Sequence, residues 1–128
     1  MPSVAVDKAW VRLPAAEGQP AAAYFTLEAR GGDAALTAID SPAAQRIELH
    51  ESVTEGGVVR MLPLDRVAVP AGETVAFEPG GKHAMLFGLG PEVTPGGTVV
   101  LNFSFEGAPA VSAQAEVRSV AGGGHSGH

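Results

Sequence analysis

Residues 98–106, Thr98-Val99-Val100-Leu101-Asn102-Phe103-Ser104-Phe105-Glu106, decide the fold class. Val99, Leu101, Phe103 and Phe105 fall at every second position, with Val100, Asn102, Ser104 and Glu106 between them. A period of two belongs to a strand buried on one face, because successive side chains point to opposite sides of the sheet. Gly96-Gly97 opens this run. The next run repeats the pattern, with Val111, Ala113, Ala115 and Val117 set against Ser112, Gln114, Glu116 and Arg118.

Working outward, short β-branched and apolar segments alternate with Gly/Pro clusters, and no segment sustains helical periodicity. Val4 to Leu13 reads as a strand closed by Pro14, and Ala22 to Ala29 as another closed by Gly31-Gly32-Asp33. Leu36 to Ile39 ends at Ser41-Pro42. Gln45 to Val53 puts Ile47 and Leu49 on one face, and Arg46, Glu48 and His50 on the other. Glu55-Gly56-Gly57 then turns the chain into a return strand, Val58 to Leu62, whose pairing Pro63 is expected to break. Val67 and Val69 lead to the Pro70-Ala71-Gly72 turn, Glu73 to Glu78 follows, and Pro79-Gly80-Gly81 precedes a strand from His83 to Leu89. Roughly nine short strands at this spacing predict an all-β, antiparallel barrel or sandwich. Residues 1–120 read as one domain and residues 121–128 as a flexible Gly/His tail.

Composition narrows the function classes. The formal charge of −6 and only eight scattered Lys and Arg exclude a nucleic-acid surface, which needs clustered cations. The chain has no cysteine, so disulfides, thiol nucleophiles, Cys-based zinc sites and thiolate copper centres are ruled out. Neither a Ser/His/Asp arrangement at a sharp turn nor a phosphate-cradling glycine loop is visible, so no catalytic residues are assigned. No secretory signal precedes the first strand. Met1-Pro2-Ser3 reads as the edge of a trimmed mature chain whose signal or anchor segment lies outside it.

Both internal methionines, Met61 and Met85, and both histidines outside the tail, His50 and His83, fall within one 36-residue stretch. Thioethers select monovalent copper and imidazoles suit several metals, so the four together form a soft donor set. Singly, each has a plainer reading: a histidine on a solvated strand face, a methionine filling a core gap. Jointly they are harder to dismiss, since each internal methionine lies within strand or turn reach of a histidine. His83 and Met85, two residues apart, share one face of their strand, and the glycine turn before them presents His83 at a strand entrance.

The order His50-x10-Met61-x21-His83-x-Met85, with the Pro79-Gly80-Gly81-Lys82-His83-Ala84-Met85-Leu86 run, resembles the periplasmic copper chaperones of the PCuAC family. Trp10-Val11-Arg12 with Pro14, Ala23-Tyr24-Phe25 and Val69-Pro70-Ala71-Gly72 extend the resemblance over nearly the whole chain to about Val120. It implies a cupredoxin-like Greek-key β-barrel, with His50, Met61, His83 and Met85 on the family's ligand positions and one Cu(I) per chain. It also implies a non-enzymatic carrier outside the cytoplasmic membrane; a monomer is expected. The acceptor it implies is the subunit of cytochrome c oxidase that bears the CuA centre. Many relatives carry a methionine directly after the first histidine; here Glu51 stands there, leaving four ligands and one carboxylate nearby.

Two alternatives are set against this. A cupin-like metal enzyme would use two histidines and a carboxylate, with Glu51 beside His50 as its one favourable feature. A metal-free β-sandwich binding module would expose aromatics, yet most of the seven aromatics read as core. In the tail, His125 and His128 are candidates for a weaker Cu(II) site, since a set rich in imidazole and free of thioether favours that ion; the alternative is a chain end without a role.

Overall fold

The computed structural model describes residues 2–14, 19–91 and 93–119. Ten strands and no helix make up the described residues. They are β1 (Ser3–Arg12), β2 (Ala21–Arg30), β3 (Ala34–Asp40), β4 (Arg46–Glu55), β5 (Val58–Pro63), β6 (Val67–Val69), β7 (Thr74–Phe77), β8 (Lys82–Phe87), β9 (Thr98–Glu106) and β10 (Val111–Arg118). All belong to one sheet in the order β5-β4-β8-β2-β1-β10-β9-β3-β6, with β7 on the second half of β2. The tenth strand, beyond the roughly nine expected, reflects how short β6 and β7 are: three and four residues.

The sheet folds around a single apolar cluster. Phe25, Leu27, Leu36, Leu86, Leu101, Phe103 and Val117 are among its fully buried members. Phe25 sits at its centre, stacked on Phe77 at 4.4 Å and edge-on to Phe103 at 4.9 Å. Such ring pairs add about 0.5–1.5 kcal/mol each to the area they bury. The alternation read in β9 and β10 holds: Val99, Leu101, Phe103, Ala115 and Val117 are buried, while Val100, Ser112, Gln114 and Glu116 face out.

Three details depart from the sequence reading. First, the sheet is not antiparallel throughout: β1 lies parallel to β10, pairing Trp10 with Glu116 and Arg12 with Arg118. The first and last strands of the chain thus lie side by side in the interior of the sheet order. Second, β1 carries a bulge between Asp7 and Trp10, with Lys8 in the left-handed region at φ 58°. The extra residue switches the buried parity from Val4 and Val6 to Ala9 and Val11. Trp10 and Arg12 are thereby sent to the outer face. Third, Pro63 does not break the β4–β5 pairing but ends β5 inside it, opposite His50. A proline is tolerated there because β5 is an edge strand and has no further neighbour to donate to. The tail expected at residues 121–128, with His125 and His128, lies outside the described residues.

Candidate metal centre

The four candidate donors sit on three adjacent strands at one end of the sheet. β4 and β8 pair in a register that sets His50 directly opposite His83. Their rings lie 6.0 Å apart, centre to centre, and 23° from parallel. Met85 is two residues along β8 from His83, on the same face, and Met61 comes from β5, opposite Ser52. The hairpin that carries Met61 back towards β4 turns on Gly56 and Gly57, at φ 56° and 82°. Two successive positive angles give the hairpin turn whose twist matches the flanking strands, and glycine adopts them without strain. On the opposite face of β8, Ala84 and Leu86 are buried in the core, so His83 and Met85 are presented by a strand that cannot rotate.

Met61, His83 and Met85 open on one cavity of about 230 Å³, together with Arg12, Tyr24 and Ser52. Ala22, opposite Met85 in the β2–β8 register, leaves room for the longer side chain to lie over it. Ser52 Oγ donates to Met61 Sδ at 3.3 Å. His50 borders the adjoining cavity of about 400 Å³, with Glu48, Pro63 and Leu64. The structure therefore gathers three of the four residues in one hollow and sets the fourth against it, ring beside ring with His83.

The hydrogen bonds of the two imidazoles are complementary. His50 Nε2 lies 3.0 Å from Glu48 Oε1, and a carboxylate only accepts, so Nε2 carries the proton. That leaves His50 Nδ1 as a lone pair. His83 Nδ1 lies 3.1 Å from the Gly81 carbonyl, which also only accepts, so here the lone pair is on Nε2. Both of these nitrogens, His50 Nδ1 and His83 Nε2, are buried without a hydrogen-bond partner. A buried polar atom left unpaired costs about 1–3 kcal/mol, so two at one place call for a ligand. Protons held on the far side of each ring are how histidine is oriented towards a metal.

The supports of these rings are themselves fixed. The hydrogen bond from His50, with the Arg46 guanidinium beside it, holds the Glu48 carboxyl below the usual carboxylate range. The Gly81 carbonyl also accepts from Ser52 N at 3.1 Å, tying the turn to β4. That turn needs Gly80 at φ 86°.

Glu48 is the residue that sequence reasoning passed over. The carboxylate expected near the site, Glu51, instead pairs with Lys82 at 3.5 Å, while the one beside His50 is Glu48. Strand parity held the signal, since residues 48 and 50 share a face and 51 does not. Arg12, which the β1 bulge turns outward, and Tyr24 on β2 also border the donor cavity and were not legible as site residues. Among the described residues no three His, Cys, Asp or Glu side chains converge to hold a metal, so the two-histidine, one-carboxylate arrangement of the enzyme alternative does not occur there.

The model of the LpqE-like lipoprotein family matches residues 4–117. The chain belongs to the LpqE-like family. A protein of Leifsonia xyli subsp. xyli that carries a lipoprotein name is 35% identical over 103 residues, covering 80% of this chain. A protein of Rickettsia prowazekii is 31% identical over 87 residues, covering 66%. This LpqE-like chain spans only 61% and 48% of those relatives' own lengths. Among solved structures, the copper-bound PCuAC domain from PmoF2 superposes with a TM-score of 0.76 at 19% identity, over 91% of this chain and 93% of that one. Cu(I)-bound DR1885 from Deinococcus radiodurans gives 0.66 at 24%, over 92% and 76%. Its apo form gives 0.65 at 26%, over 91% and 78%. The fold of this LpqE-like chain is that of PCuAC domains, as the resemblance in the sequence implied.

Proposed function

We propose that this chain is an extracytoplasmic copper carrier that takes one Cu(I) through His50 Nδ1, Met61 Sδ, His83 Nε2 and Met85 Sδ. The observation that carries the reading is the pair of buried, unpartnered imidazole lone pairs beside two thioethers. All four donors are neutral and two are soft, which suits a d10 monovalent ion and disfavours Zn(II) and Mg(II). The copper-bound structures of the PmoF2 PCuAC domain and of DR1885 support copper as the cargo, and the lipoprotein names in the family support a place outside the cytoplasm.

A carrier must release what it binds. Met61 is 55% exposed on an edge strand, whereas His83 is 6% exposed. An incoming donor can therefore displace the Met61 thioether first while the histidines still hold the ion. We assign delivery to an exported copper acceptor, the CuA-bearing subunit of cytochrome c oxidase, with the carrier acting as a monomer. His125 and His128 are assigned a second, weaker site that prefers Cu(II).

Titration of the reduced protein with Cu(I) against a competing chelator tests the reading. One equivalent should bind, with mixed sulfur and nitrogen scattering in X-ray absorption; a shell of nitrogen and oxygen alone refutes the ligand set. Removing the chain after Val120 should leave this Cu(I) site intact and abolish the Cu(II) site. Incubation of the loaded protein with a metal-free CuA domain should transfer the ion.

A further inference from the structure

Arg12 stands apart from the other arginines. Arg30, Arg46, Arg60, Arg66 and Arg118 each pair with a glutamate, but among the described residues Arg12 has no carboxylate partner. Its Nη2 donates instead to the Tyr24 hydroxyl at 2.8 Å, and its guanidinium lies 5.3 Å from the centre of the Tyr24 ring. The Lys8 bulge turns Arg12 to the outer face, where it pairs with Ala22, and Ala22 in turn pairs with Met85. Arg12, Ala22 and Met85 thus form one row across β1, β2 and β8. Ala22, whose side chain is a single methyl group, is the residue between the other two in that row. Arg12 borders the cavity with Met61, His83 and Met85, and no acidic side chain among the described residues does so.

We propose that Arg12 is a specificity-determining residue whose positive charge, without a carboxylate partner among the described residues, makes the donor cavity discriminate against divalent ions. The inference rests on the carrier reading above. The donors are neutral, and the carboxylate that supports His50, Glu48 opposite Met85 in the β4–β8 register, is already paired with Arg46, so neither offsets the guanidinium. Coulomb repulsion scales with the charge of the ion, so Arg12 opposes Zn(II) or Cu(II) twice as strongly as Cu(I). Thioether softness selects by ligand type; Arg12 adds selection by charge. The same field raises the Cu(II)/Cu(I) potential, because it destabilises the oxidised ion more. Tyr24 keeps the guanidinium at the cavity rather than in solvent.

The test compares wild type with Arg12→Gln and Arg12→Lys, measuring Cu(I) and Zn(II) affinities by chelator competition and the copper potential by redox titration. For Arg12→Gln, both affinities should rise, Zn(II) by about tenfold more than Cu(I), for a pair of charges partly screened by water. The potential should fall by about 59 mV, the one-electron equivalent of that tenfold change. Arg12→Lys keeps the charge and should keep the wild-type ratio and potential, although it loses the planar fork on Tyr24. A ratio and potential that do not move in Arg12→Gln overturn the inference while leaving the carrier reading standing. So does an Arg12→Lys protein that matches Arg12→Gln, since charge would then not be the determinant. A wild-type chain that takes up no Cu(I) overturns both.

Discussion

The two strands flanking β4 are built to opposite rules. On one side β8 is backed by the core: Ala84 and Leu86 are buried beneath His83 and Met85. On the other, β5 is the sheet's edge, and all six of its residues are exposed, including the apolar Val58, Val59, Met61 and Leu62. Two of the proposed donors thus stand on a strand that can shift only if the core opens, and a third on a strand anchored by pairing alone. Stability at this end of the molecule belongs to β8, and freedom to exchange a ligand belongs to β5.

The contrast breaks most sharply in stability. Leu86→Ala removes a fully buried side chain and should cost about 2–5 kcal/mol, whereas Val59→Ala on β5 should stay within about 0.5 kcal/mol. Denaturant unfolding of the two variants decides it, and a Val59→Ala cost matching that of Leu86→Ala would mean that β5 is part of the packed unit.

Next come the methionines. Replacing Met61 or Met85 with Leu keeps size and apolarity, so the metal-free protein should lose less than about 1.5 kcal/mol at the half-buried Met85 and almost nothing at Met61. Cu(I) affinity should nevertheless fall by about tenfold or more in each, since Leu offers no donor. If either variant keeps full Cu(I) affinity and changes only its melting temperature, that methionine is packing and not ligand.

The smallest effect concerns Glu48. Its carboxyl is depressed by the bond from His50 and by Arg46, so the stability it contributes is present above the ordinary carboxylate pKa and fades as pH falls through its lower folded value. Unfolding curves of wild type and Glu48→Gln should therefore differ at neutral pH and converge on acidification. A gap that persists in acid would assign the effect to shape instead of charge.

Much of this was legible in the chain. The alternation from Val99 to Phe105 marks its buried face without ambiguity, and the spacing of His50, Met61, His83 and Met85 singles out the residues that the fold then brings to one end of the sheet. The β1–β10 pairing was not legible, because contact between the two ends of a chain leaves no local pattern. The bulge was half visible: the shift from even to odd apolar positions between Val6 and Ala9 is written in the sequence, but a lysine is not the residue expected at a positive φ. Glu48 and Arg12 escaped for a related reason. Their roles depend on the neighbours they meet in space, and residue type alone identifies each of them only as a surface charge.

Pro63 carries a last consequence. An edge strand with four exposed apolar residues is the kind of segment that recruits further chains into a growing sheet. Here the open edge is bounded by the Gly56-Gly57 turn at one end and, at the other, by a residue with no amide proton to offer, with Arg60 placing a charge between them. An added strand would find only a few residues to pair with before its ladder stopped. The exposure that suits ligand exchange is thus confined to one short strand between a turn and a proline, with a charge set among its apolar residues to oppose pairing with a further chain.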